Sequence, residues 1–160
     1  MRFIQAFFLI SGTLVAINSP LDAVGQTKVG DVQMVVLNGS CDKLTLGKKK
    51  YGDVCSSKIL STSYPDGRVG FYFVMEDGRS ITFSGMDGEN PTPDTDITNI
   101  DKVIANLNVK TPDKPNVFAA TGKCSFGNPY KGESTISCKG KLSDGRAFAG
   151  VFTTDGSPPN

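Results

Sequence analysis

The sequence predicts an all-β fold, an antiparallel sandwich or small barrel of about seven to nine strands with two disulfide-closed hairpins. Three observations lead there. Apolar runs are short and stop at Asp-Gly, Asn-Gly or Pro, residues that reverse a chain. Glycine is abundant and spread along the chain, while Trp and His are absent. The cysteines fall into two equal intervals, Cys41…Cys55 and Cys124…Cys138, each with a Gly-bounded turn that carries Lys and Tyr near its tip.

A targeting segment precedes the domain. Met1-Arg2 is a short basic start, Phe3–Ile17 is mostly apolar, and Pro20 and the small-residue site Ala23-Val24-Gly25 follow. That layout reads as a secretory signal peptide over residues 1–25, leaving one domain over residues 26–160. The expected location is therefore periplasmic or secreted, where cysteines can pair. Four cysteines allow three connectivities, and local pairing within each interval is the simplest.

The strands follow in order. Asp31–Leu37 is the first, and Asn38-Gly39 reads as a hairpin turn. The interval from Cys41 to Cys55 holds Leu44, Leu46, a Gly47–Gly52 tip and Val54. Lys58–Tyr64 is a strand closed by Pro65-Asp66-Gly67. Arg68–Glu76 is apolar on both faces and reads as a central strand. After Asp77-Gly78, Arg79–Gly85 alternates, with Ile81 and Phe83 inward. Met86–Asp96 is an acidic, Pro-rich loop. Ile97–Leu107 fits a helical face by spacing but a strand by its Ile and Val content, and its neighbours favour the strand. Asn116–Cys124 is the next strand, then the turn Gly127–Gly132, and Arg146–Thr154 is the last. Phe148, Gly150 and Phe152 share one face of it. Asp-Gly-Arg recurs at Asp66, Asp77 and Asp144, which reads as turn chemistry reused, with an old duplication as the alternative.

Composition excludes several chemistries. Without histidine there is no Ser-His-Asp or Cys-His centre and no histidine-bound metal. Cysteines committed to disulfides supply no thiolate. No Gly-rich phosphate loop occurs. The chain therefore reads as non-enzymatic, with no cofactor. Arg2 and Asp22 cancel, so removing the signal leaves the net charge at +1. No basic stripe stands out along the sequence, which argues against nucleic acid, and no second long apolar segment suggests an integral membrane protein.

Candidate sites remain. The tips Lys48, Lys49, Lys50 and Tyr51, and Asn128, Tyr130 and Lys131, are the expected contact surfaces for a protein or envelope partner. The acidic loop gathers hard oxygens at Asp87, Glu89, Asp94 and Asp96, with Asn90, Asn99 and Asp101 nearby, as calcium would require. It lacks the glycine of an EF-hand loop, so a solvated loop is the expectation and no metal site is assigned.

Two resemblances add to this reading. Gly122–Gly132 (GKCSFGNPYKG), then Cys138, Gly150-Val151-Phe152 and Gly156-Ser157-Pro158-Pro159, resembles the carboxy-terminal half of small exported bacterial proteins of unassigned function. That implies an envelope location without an activity. Cys41-x-x-Leu44-x-Leu46, Cys55, Phe71-x-Phe73 and Asp77-Gly78-Arg79-x-Ile81-x-Phe83 together are similar to periplasmic metalloprotease-inhibitor barrels. The resemblance implies an early disulfide pinning a small β-barrel, and inhibition through the amino-terminal residues, here Gln26–Gly30. The usual tryptophan of that family is missing, and a second cysteine pair is added. The expected function is an exported non-enzymatic binding or interaction protein, with inhibition of a secreted or periplasmic hydrolase as the alternative.

Overall fold

The computed structural model describes residues 27–111 and 114–159. The expected signal peptide, residues 1–25, lies outside the described residues. The fold is all-β: a closed antiparallel barrel of eight strands, with two short strands attached. The open choice between sandwich and barrel resolves to the barrel.

Strand β1 (Thr27–Val29) folds back on β2 (Val32–Leu46), and β3 (Lys49–Lys50) pairs with the far end of β2. The barrel continues through β4 (Cys55–Ser63), β5 (Arg68–Met75), β6 (Ser80–Asp87), β7 (Thr95–Asn106), β8 (Asn116–Gly127), β9 (Thr135–Leu142) and β10 (Ala147–Thr154). Each of β4 to β9 pairs with its successor in the chain, and β2, paired with both β10 and β4, closes the ring.

Closure depends on one long strand. The first part of β2 pairs with β4, from Gln33–Ser63 to Asn38–Lys58. Its second part pairs with β10, from Gly39–Thr154 to Leu46–Phe148. Asn38-Gly39 is therefore not the turn its sequence suggests. It marks the place where β2 changes partner. Glycine is needed there for close approach: a Cβ on Gly39 would lie 2.0 Å from the Thr153 carbonyl oxygen.

The three Asp-Gly-Arg turns share one geometry. In each, the Arg backbone N–H donates to the Asp Oδ1 two residues earlier, at 3.0–3.1 Å. Gly67, Gly78 and Gly145 take φ of 82°, 84° and 85°, a left-handed conformation that glycine adopts without steric cost. These are three-residue hairpin loops of the bulge-bearing kind. They join β4 to β5, β5 to β6, and β9 to β10, so each Asp-Gly-Arg serves as a hairpin turn.

The ambiguous segment is strand β7, and β6 runs on to Asp87, which shortens the acidic loop to residues 88–94. Both cysteine pairs are local, Cys41–Cys55 and Cys124–Cys138. The second joins directly paired residues of β8 and β9. The first is not a simple hairpin: it links β2 to β4, three residues beyond the Asn38–Lys58 pair on each strand, with β3 and a 3-10 turn (Gly52–Val54) between.

One end of the barrel is packed solid. Phe73, Phe83 and Phe148 fill it, with ring centroids 5.4 Å apart for Phe73–Phe83 and 5.0 Å for Phe83–Phe148. The rings fit because glycines face them. Gly122 and Gly140, paired across β8 and β9, lie under Phe148, and Gly150 lies against Phe83 and Phe73. Tyr51 belongs to this core and is only 7% exposed. Of the first expected tip, then, only Lys48–Lys50 are presented to solvent.

Candidate functional site at the barrel mouth

The opposite end is lined differently. Along β4 the inward face reads Ile59, Ser61, Ser63, passing from a buried apolar residue to small polar ones. The inward positions of β7 near this end are Asp96 and Thr98, and the approach to β9 brings Ser134. Small side chains here leave space that aromatic rings occupy at the other end. A cavity of about 210 Å³ results, open at the mouth. Val35, Leu37, Phe71 and Ile136 form its apolar walls, and Ser61, Ser63, Ser134 and Asp96 supply polar groups. A second recess of about 290 Å³ adjoins it, sharing Ser61, Ser63, Asp96 and Phe126 and adding Tyr64, Arg68, Val69 and Asp87. Barrel mouths with a few polar groups on apolar walls are common ligand sites.

The rim is held by specific contacts. Phe126 packs edge-on against Phe71, with centroids 5.0 Å apart. The 3-10 turn Pro129–Lys131 is capped by Asn128, whose Oδ1 accepts from the Tyr130 N–H at 3.0 Å. Lys131 pairs with Asp94, tying this turn to the β6–β7 loop. Ser134 is anchored through its backbone: its N–H donates to Thr154 Oγ1 at 2.8 Å, and its carbonyl accepts from the Thr154 N–H.

Three polar groups remain unanswered. Ser134 Oγ and Thr98 Oγ1 are buried without a protein hydrogen-bond partner among the described residues. Thr98 lies one inward position below Asp96 on β7 and is fully buried. Leaving such a hydroxyl unpaired costs ~1–3 kcal/mol, so Ser134, which lines the cavity, favours a ligand that hydrogen-bonds to it. Asp96 is half-buried and pairs with none of the described residues. Arg68 does not reach it, because its guanidinium holds Asp101 in a two-pronged pair at 2.9 Å. That hydrogen bonding raises the Arg68 pKa and lowers that of Asp101. The mouth therefore keeps a net negative lining from Asp96 and Asp87.

The expected site residues divide between the two ends. Asn128, Tyr130 and Lys131 stand at the mouth. Lys48, Lys49 and Lys50 stand at the packed end, where Lys49 pairs with Leu46 and Lys50 with Thr45, so the two tips do not form one rim. Asp87 and Asp96 line adjoining recesses, Glu89 is exposed, and Asp94 is engaged by Lys131. Among the described residues no three acidic, His or Cys side chains come together as a metal site. The serines were missed from sequence; the signal for them was the apolar-to-polar change along one face of β4.

Acid pH should weaken the fold. Hydrogen bonds lower four exposed or half-exposed carboxyls: Asp77 through the Arg79 backbone, Asp101 through the Arg68 side chain, Asp144 through the Arg146 side chain, and Asp155 through the Ser157 side chain. Each is depressed below its unfolded value of about 3.9, so its contribution is full above that pH and is lost as pH falls through the folded value. The thermal midpoint should stay level from about pH 7 to 5 and fall below about pH 4, and Asp101→Asn should reduce that fall. Scanning calorimetry across this range checks it.

Compared with family models, curated proteins and solved structures, the chain matches none.

Proposed function

We propose that this chain is an exported, non-enzymatic binding protein whose barrel mouth takes a small amphipathic molecule. Its apolar part would rest on Leu37, Phe71 and Ile136, and a donor-bearing head, an ammonium above all, would face Asp96, Ser61 and Ser134. The observation that carries this reading is the asymmetry of the barrel, solid with phenylalanine at one end and hollow at the other, with serine and an Asp96 that pairs with none of the described residues. Two disulfides are compatible with export. Among the described residues no helix is long and apolar enough to cross a membrane.

Calorimetric titration with hexylamine and hexanoate tests it. The amine should bind saturably and the carboxylate should not. Asp96→Asn should weaken the amine by about tenfold, the loss of one charge-assisted contact. Ser134→Phe, which fills the cavity from a partly exposed position, should abolish binding without lowering the thermal midpoint by more than a few degrees. Equal binding of both probes, or unchanged binding in Ser134→Phe, would sink the proposal.

Hydrolase inhibition is the second reading. Exposed β1 lies beside the mouth, where Lys28, Gly30 and Asp31 share a recess with Ser63, Tyr64 and Pro65. A hydrolase reaching the mouth would meet this segment. Deletion through Gly30 should then abolish inhibition while leaving the barrel folded.

A further inference from the structure

We infer that the wall formed by β9, β10 and β2 is a second binding site, for an extended anionic polysaccharide. It is separate from the mouth and does not depend on the reading given for it.

The register builds a trough. Outward positions on β10 are Ala147, Ala149 and Val151, because Phe148, Gly150 and Phe152 point inward. Ala147 pairs with Lys141 and Ala149 with Lys139 on β9. On the other side, Val151 pairs with Lys43 on β2, while Ala149 pairs with Thr45, which pairs with Lys50 on β3. A low floor of small apolar side chains thus runs between two banks of lysine. Lys43 on β2 stands two strand spacings from the β9 bank, about 10 Å, and Lys50 on β3 one spacing further out.

The charges are unanswered. Lys43, Lys50, Lys139 and Lys141 are exposed, and no side chain among them makes an ion pair or hydrogen bond with a described residue. Lys123 on β8 lies directly opposite Lys139. Like charges facing across a ladder destabilise a sheet, so a bound anion would relieve a repulsion the fold otherwise carries. Two carboxylates line the recess of Lys43 and Lys50 without forming an ion pair with either: Asp53, and Asp42, which already accepts from the hydroxyls of Ser40 and Thr153.

Shape selects among polyanions. A barrel wall is convex, so a flat bilayer would touch along one strand while the neighbouring banks fall away. The trough residues include no aromatic side chain on which bases could stack, which disfavours single-stranded nucleic acid. A single chain with repeated acidic groups, laid along β10, meets both banks at once.

The test uses the disulfide-intact protein and a fluorescent oligogalacturonate, followed by anisotropy. Binding should occur and weaken with salt, as screened charge pairs do. Lys123→Ser/Lys139→Ser/Lys141→Ser should weaken it by about tenfold or more, and Ala149→Glu should abolish it. Lys110→Ser/Lys114→Ser, away from the trough, should leave it unchanged. The triple variant should unfold at an equal or higher temperature than the parent, which separates lost binding from lost structure. No binding, undiminished binding in the triple variant, or tighter binding to phosphatidylglycerol vesicles or polyglutamate than to the sugar polymer would each overturn the assignment.

Discussion

Phe83→Ala is expected to destabilise the barrel by ~3–5 kcal/mol, the range for deleting a fully buried aromatic side chain. Phe83 has no exposed surface and touches both other rings of the packed end. Its partner across the interior is Gly150, where a Cβ would come within 2.5 Å of Phe83 Cε2 and 2.8 Å of Phe73 Cζ. Gly150→Ala alone should therefore cost ~1–3 kcal/mol by overpacking. Once Phe83 is alanine, part of the obstruction is gone and the added methyl enters vacated space. The double variant should be more stable than the sum of the single losses predicts, because the two residues share one volume. Urea unfolding of the parent, both single variants and the double variant measures this. Strict additivity would mean that glycine and ring are not complementary.

Removing either disulfide should also have a large effect, and the two losses should differ. Both bonds span the same sequence separation of 14, so the chain-entropy contribution is ~3 kcal/mol for each. The difference must then come from the native state. Cys124 and Cys138 are 0% and 1% exposed, whereas Cys41 and Cys55 are only half-buried. Cys124→Ala/Cys138→Ala leaves a gap in the core, adding about 1 kcal/mol or more to the loss. Cys41→Ala/Cys55→Ala leaves little gap. Urea unfolding of the two double variants should rank the β8–β9 bond as the more costly to lose. The reverse ranking would point to a larger part for the Cys41–Cys55 bond in holding β2 against β4.

Local chemistry made much of the fold legible. Alternation of Ile81 and Phe83 placed β6, the surrounding strands together with Ile and Val content favoured β7, and each Asp-Gly-Arg marked a hairpin that the structure contains. What failed were features decided by distant neighbours. Asn38-Gly39 has turn chemistry, yet Gly39 is there because the backbone of β10 passes within contact distance. Tyr51 sits beside three lysines in sequence, but its ring packs into the packed end of the core and Arg79 lies over it, 5.9 Å from its centroid. The choice between sandwich and barrel rested on β2 pairing with both β4 and β10, a long-range register that no local pattern encodes. The mouth was hidden for the same reason. Ser61, Asp96 and Ser134 are far apart in the chain, and only barrel closure brings them to one cavity.

The lysine trough was half visible. The Lys48–Lys50 run stood out in sequence, whereas Lys43, Lys139 and Lys141 are single residues on separate strands. Antiparallel pairing alone gathers them around β10.

The hollow end of the barrel is proposed as a binding site for a small amphipathic amine. Chemical-shift mapping of the isotope-labelled, disulfide-intact protein during titration with hexylamine tests it most directly. Saturable shifts are expected, confined to the mouth at Leu37, Ser61, Phe71, Asp96, Ser134 and Ile136, with none at Phe73, Phe83 or Phe148. Shifts spread over the outer wall, or none at Asp96 and Ser134 at saturation, would contradict it.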